Sequence, residues 1–161
     1  SIYEYRFSNE VIARLIEIDA PTIQGNHEET FLGPLGERAR ARNGNDPKLM
    51  DWLSAQPYRR EIDCEGKKVL MVHSTPWEPR GAYIYRHSPD LQRFGEADAD
   101  FVLFGHTHQQ VVTRVGDLLV VNPGSAGDAR DPENGRQLSC AVLDTGLGEA
   151  HIINYPDPAR G

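Results

Sequence analysis

The run Phe101-Val102-Leu103-Phe104-Gly105-His106-Thr107-His108 constrains the fold of this 161-residue chain more than any other segment. Consecutive large apolar residues without polar alternation read as a short strand buried on both faces. A strand of that kind belongs to a sheet covered on both sides, and the switch to Gly-His-Thr-His marks its end. Two imidazoles at i and i+2 cannot share a helix face. On a turn after a strand they diverge and can grip two different metal ions, imidazole being the commonest protein ligand for first-row metals. Gly105 is expected to let the backbone turn without a Cβ clash. Taken alone, the pair reads equally as two surface histidines on a loop.

The rest of the chain supplies partners for such a strand. Ser8–Ile18 has helical spacing, with Ser8 as N-cap and Val11, Ile12, Leu15 and Ile16 on one face. Pro21–Gln24 reads as a short strand ending in Gly25-Asn26-His27-Glu28. Residues 29–45 read as a loop with some helix. Asp46-Pro47 starts a helix through Leu53. Arg59–Cys64 and Lys67–Val72 form a hairpin across Glu65-Gly66. A polar, aromatic loop over 74–86 leads to a helical stretch over His87–Ala97. A second hairpin joins Val111–Val115 to Leu118–Val121 across Gly116-Asp117, and Leu138–Leu143 and Glu149–Asn154 add two more strands. Helices alternate with strands early and hairpins dominate late, so the expected fold is an α/β sandwich in a single domain over residues 1–161, with a polar site at the strand ends.

Composition narrows the function. With 39% hydrophobic and 25% charged residues, the chain is expected to be a soluble globular domain. Its formal charge of −7 repels nucleic-acid backbones, so general nucleic-acid binding is not expected. No apolar run approaches the roughly 20 residues that span a bilayer, so no membrane partner is expected. The two cysteines, Cys64 and Cys140, lie far apart, which suits a reduced, cytoplasmic protein. Self-association into a homo-oligomer is left open.

Three further segments carry chemistry. Asn26 offers a neutral amide oxygen to a hard divalent ion, and His27 beside it could protonate a leaving group; alone, Gly25–Glu28 reads as a simple turn. His73 ends the apolar strand Val69–Val72, well placed for a cleft at the carboxyl ends of a sheet, although alone it reads as a half-buried, hydrogen-bonded histidine. Asn122-Pro123-Gly124-Ser125 reads as a tight turn shaping the cleft wall, with amides available to an anion. His87 and His151 lack a supporting context.

In order, Gly-Asn-His-Glu, strand–His and strand–Gly-His-Thr-His resemble the calcineurin-like metallophosphoesterases, in particular their small bacterial and archaeal phosphodiesterases. The resemblance runs from about residue 1 to about residue 155 and includes Asn122-Pro123-Gly124-Ser125. It implies an αββα sandwich with mixed sheets. It also implies that Asn26, His73 and His106 hold one metal, that His108 holds a second, and that His27 contacts the phosphate and assists the leaving group. The implied cofactors are two divalent ions among Mn, Fe, Ni and Zn, and the implied substrate is a small phosphate ester. The retromer subunit Vps29, a protein-interaction scaffold, is similar to this fold and supplies the alternative function. Two departures stand out. The family's opening Asp-x-His and Gly-Asp motifs are absent from this sequence, so the sandwich is expected to lack its first strands and the native polypeptide to be longer. Ser74 follows the central His73 where the family usually has glycine.

Overall fold

Among the described residues the α-helices come first and the strands follow, with only a 3₁₀ helix between strands, so the early alternation expected from the sequence is not found, whereas the late hairpins are. The computed structural model describes residues 9–42 and 44–158. Helix α1 spans Asn9–Glu17, α2 Asn26–Leu32, α3 Glu37–Arg40 and α4 Pro47–Ser54. Strands β1 (Arg59–Cys64) and β2 (Lys67–Val72) form the expected hairpin. A 3₁₀ helix over Pro89–Glu96 precedes β3 (Phe101–Leu103). Strands β4 (Gln110–Val115) and β5 (Leu118–Pro123) form the second hairpin, and β6 (Leu138–Asp144) and β7 (Glu149–Tyr155) form a third. None of the described helices is long and apolar enough to cross a membrane.

Five strands make one mixed sheet in the order β1-β2-β3-β5-β4. The central β2, β3 and β5 run parallel, and the edge strands β1 and β4 run antiparallel to their neighbours. Side chains alternate between the faces of a strand, so each face acquires its own core. On one face Leu70, Val72, Val102 and Val120 pack with Leu91 and Phe94 of the 3₁₀ helix. On the other, Val69, Phe101, Leu119 and Val121 pack against Ala141 and Leu143 of β6 and Ala150 of β7. Val102 and Val120 have no exposure, which is what the unbroken apolar runs of β3 and β5 require.

Four expectations are corrected. Pro21–Gln24 is extended but joins no strand ladder among the described residues. Its Gln24 N–H donates to the Pro57 carbonyl (2.9 Å), while the buried Gln24 Nε2 donates to the carbonyls of Leu53, Ser54 and Gln56 (3.1, 3.0 and 2.8 Å). Those carbonyls include the last ones of α4, which have no partner within the helix, so the segment serves as a cap rather than a strand. Consequently Gly25-Asn26-His27-Glu28 opens a helix instead of closing a strand. Gly25 is the N-cap of α2, and Glu28 Oε2 accepts from its N–H at 2.9 Å. Residues 29–42 are more helical than expected, through α2, the 3₁₀ turn Pro34–Gly36 and α3. In α1 only Ile12 of the proposed apolar face is buried; Val11 and Ile16 are exposed, because α1 packs chiefly against α4. The proposed cap Ser8 lies outside the described residues. At the other helix the expected cap holds, since Asp46 Oδ1 accepts from Lys48 N–H at 2.9 Å.

Candidate metal centre

Parallel pairing brings the ends of β2, β3 and β5 to one edge. Met71 lies opposite Leu103, and Leu103 opposite Val121. Two residues beyond that rung come His73, Gly105 and Pro123, and the Gly105 N–H donates to the His73 carbonyl (2.9 Å). The two histidine-bearing turns are thus stitched together by the register of the sheet. Asn26 arrives from the first turn of α2.

Three donor atoms converge there. His73 Nε2 lies 2.7 Å from Asn26 Oδ1 and 3.0 Å from His106 Nδ1, and the last two atoms are 3.2 Å apart. Donors about 2.1 Å from a common ion and at right angles to one another stand about 3.0 Å apart, so this triangle has the spacing of three ligands on one face of an ion. A shared proton can serve only part of such a triangle, whereas a cation serves all three lone pairs. Among the described residues no group of three or more His, Cys, Asp or Glu side chains is placed to hold a metal. The donor set here instead combines two imidazoles with an amide oxygen.

Burial lowers the pKa of His73 to about 4, and the nearby His106, His27 and His108 add to the effect. His106 is lowered by burial and then by His108 and His27, against an opposing pull from the Gly81 backbone. Its Nε2 is nevertheless buried without a partner of hydrogen-bond geometry. His108 is also lowered by burial, with Arg130 and His27 acting alongside it and Asp128 against it. The imidazoles are therefore neutral at pH 7, with lone pairs free for a metal. The His27 ring centroid lies 6.3 Å from that of His108. His87 and His151 are exposed.

The turn itself differs from the sequence reading. Gly105 has no positive φ; the left-handed residues are His106 (φ 68°) and His108 (φ 58°). Non-glycine residues hold that conformation when their surroundings enforce it. The enforcing group is Asn122, wholly buried at the end of β5. Its Nδ2 donates to the Gly105 carbonyl (2.8 Å) and to Thr107 Oγ1 (3.1 Å), and its Oδ1 accepts from Gly124 N–H (3.0 Å). The segment Asn122–Ser125 is a wall of the site, as expected, but the neighbouring amides face inward. Gly124 N–H is taken by Asn122, and those of Gly127 and Asp128 by Ser125 Oγ (3.3 and 3.0 Å).

Two residues at the site escaped the sequence reading. Tyr83 places its ring 4.0 Å from that of His106. Asp128 Oδ2 lies 3.0 Å from His108 Nδ1. The aromatic character of residues 74–86 hinted at the first. Nothing local marks Asp128, which stands 20 residues from its partner.

The family model described as the calcineurin-like phosphoesterase superfamily domain matches residues 7–147. A probable metallophosphoesterase of Methanothermobacter thermautotrophicus is 29% identical over 108 residues, covering 62% of this chain and 59% of the relative. An uncharacterised protein of Methanocaldococcus jannaschii is 25% identical over 167 residues, covering 84% of this chain and 65% of the relative. The chain thus spans about three fifths of the length of these curated relatives. Among solved structures, a hypothetical protein of Pyrococcus horikoshii superposes with TM-score 0.73 at 13% identity, over 98% of this chain and 73% of its own. A metallophosphoesterase of Sphaerobacter thermophilus gives 0.66 at 19% identity, over 91% and 71%. Fold and ordered motifs lead to one assignment, which the extent of the family match carries: the chain belongs to the calcineurin-like phosphoesterase superfamily.

Proposed function

We propose that this chain carries the reaction site of a metal-dependent phosphoesterase that hydrolyses phosphodiester or phosphomonoester bonds in small substrates. The observation that supports it is the triangle of Asn26 Oδ1, His73 Nε2 and His106 Nδ1, with edges from 2.7 to 3.2 Å. These three residues would hold one divalent ion and His108 a second, with Mn, Fe, Ni and Zn all suited to the donors. When bound, such ions polarise phosphoryl oxygens and make hydroxide available near neutral pH.

The chain's own residues do the rest. Burial keeps His73 unprotonated, so its lone pair stays directed at the donor triangle at neutral pH. Asn26 adds an oxygen that does not titrate. Asn122 holds the turn that separates His106 from His108. His27, next to Asn26 on the first turn of α2, contacts the phosphate and passes a proton to the departing oxygen.

The assay is hydrolysis of bis-p-nitrophenyl phosphate and p-nitrophenyl phosphate by the native gene product with Mn²⁺. His27→Ala is expected to lower turnover about 10²–10⁴-fold with metal content unchanged, while His73→Ala loses both. Equal loss of metal and activity in His27→Ala would overturn its proton-transfer role. Metal-independent hydrolysis, or none of any phosphate ester, would overturn the enzymatic reading, and the second result would leave a protein-interaction scaffold.

A further inference from the structure

We infer that Asp128 is the positioning residue for His108: its carboxylate holds the ring as the Nδ1–H tautomer and so presents Nε2 as the bare donor. The metal side of this inference rests on the reading of His108 as a ligand, whereas the tautomer does not.

Geometry comes first. His108 Nδ1 and Asp128 Oδ2 are 3.0 Å apart, with side chains only 16% and 10% exposed. So little water reaches the pair that the carboxylate is the dominant partner of that nitrogen. Asp128 is itself held in place. Its backbone N–H donates to Ser125 Oγ (3.0 Å), and Arg130 Nε contacts the same Oδ2. A carboxylate paired with a guanidinium stays ionised and can only accept, so the hydrogen on this contact belongs to His108. A neutral imidazole carries one ring proton; with it on Nδ1, the lone pair sits on Nε2. In water a neutral histidine favours the opposite tautomer, so the protein has to impose this one.

The backbone points the same way. His108 stands in the left-handed region at φ 58°, on a turn braced by Asn122. Ser125, from the turn after β5, fixes Asp128. Two turns from different strands therefore set the ring from opposite ends. Metal-binding histidines commonly donate their second ring N–H to a carboxylate, which fixes orientation and raises basicity.

Long-range ¹H–¹⁵N correlation spectra of the metal-free native protein at pH 8 test the tautomer directly, with His108→Gln assigning the signals. The expected result is Nδ1–H in the wild type and a shift towards Nε2–H in Asp128→Ala, with Asp128→Asn, which retains an acceptor oxygen, in between. A wild-type Nε2–H ring, or no change in Asp128→Ala, overturns the inference; the wild-type spectrum decides even if the variant does not fold. A zinc titration against a chromophoric chelator tests the consequence. Asp128→Ala is expected to weaken the His108-dependent part of zinc binding by about 10–100-fold. If His108→Gln weakens binding and Asp128→Ala does not, the positioning role fails while the ligand reading survives. If His108→Gln has no effect, the ligand reading itself fails and the metal side of the inference with it, while the spectra still decide the tautomer.

Discussion

At Gly25 the chain has no room for a side chain. A Cβ there would stand 2.5 Å from Nδ1 and 2.8 Å from Cγ of His73. The imidazole packs against bare backbone, and that contact helps set the distance from its Nε2 to Asn26. Gly25→Ala is expected to displace the ring, weaken divalent-ion binding at least about tenfold, and cost about 1–3 kcal/mol of stability. Calorimetric titration with Mn²⁺ and a thermal melt check both; unchanged affinity would show that the contact does not set the donor position. His73 also gives the fold a pH dependence. Its pKa falls from 6.5 to about 4 on folding. Between those values the unfolded chain binds more protons than the folded one, so stability rises with pH. The contribution is complete above about 6.5 and is lost as pH falls through about 4. The urea midpoint of the metal-free protein should therefore drop from pH 7 to pH 4.5, and His73→Gln should lessen the slope. His106 and His108 shift in the same direction and steepen it. A midpoint independent of pH over that range would contradict the burial argument.

Among the elements, α4 shows how a local signal and a distant one combine. Its start was legible: Asp46-Pro47 is an N-cap followed by a residue already committed to helical φ. Its end was not, because the cap comes from Gln24, about 30 positions earlier. The same interaction makes Pro21–Gln24 a cap instead of a strand and delivers Gly25 and Asn26 to the site. The ends of this helix should therefore respond differently. Asp46→Ala is expected to cost about 1 kcal/mol and leave metal binding unchanged. Gln24→Ala removes the side-chain donor to three carbonyls, of which that of Leu53 keeps a backbone partner, the Gln56 N–H, and is expected to cost about 1–3 kcal/mol, or about 2–12 °C in Tm, with weaker metal binding. Equal metal affinity in both variants would detach the cap from the site. The hairpins were the easiest elements to read. Glu65-Gly66 and Gly116-Asp117 each stand between two strand-forming runs, and a two-residue turn sets the register of its own strands.

For the whole molecule, the donor inventory sets the metal count. The described residues bring three neutral donors to one point and offer His108 beside it. Two dications about 4 Å apart repel by about 4 kcal/mol even in bulk water, and neutral ligands do nothing to offset that. Asn26, His73 and His106 are therefore expected to hold their ion tightly, and His108 to hold the second ion only weakly unless charged ligands join it. Elemental analysis of this chain by itself after dialysis should give about one metal per chain; two retained ions would refute this. The sequence by itself determined the hairpins, the buried β3 and the identity of the candidate donors, because apolar runs, turn residues and the side chains at their ends are local information. Tertiary structure alone decided that Asn26, His73 and His106 meet, since their contacts bridge 33 to 80 residues of chain. It also decided that Asn26 arrives on a helix, that Asn122 holds two histidines in left-handed backbone, and that Asp128 turns His108. Those outcomes depend on strand order and parallel register, which place distant residues at one sheet edge, and short-range periodicity carries no record of them.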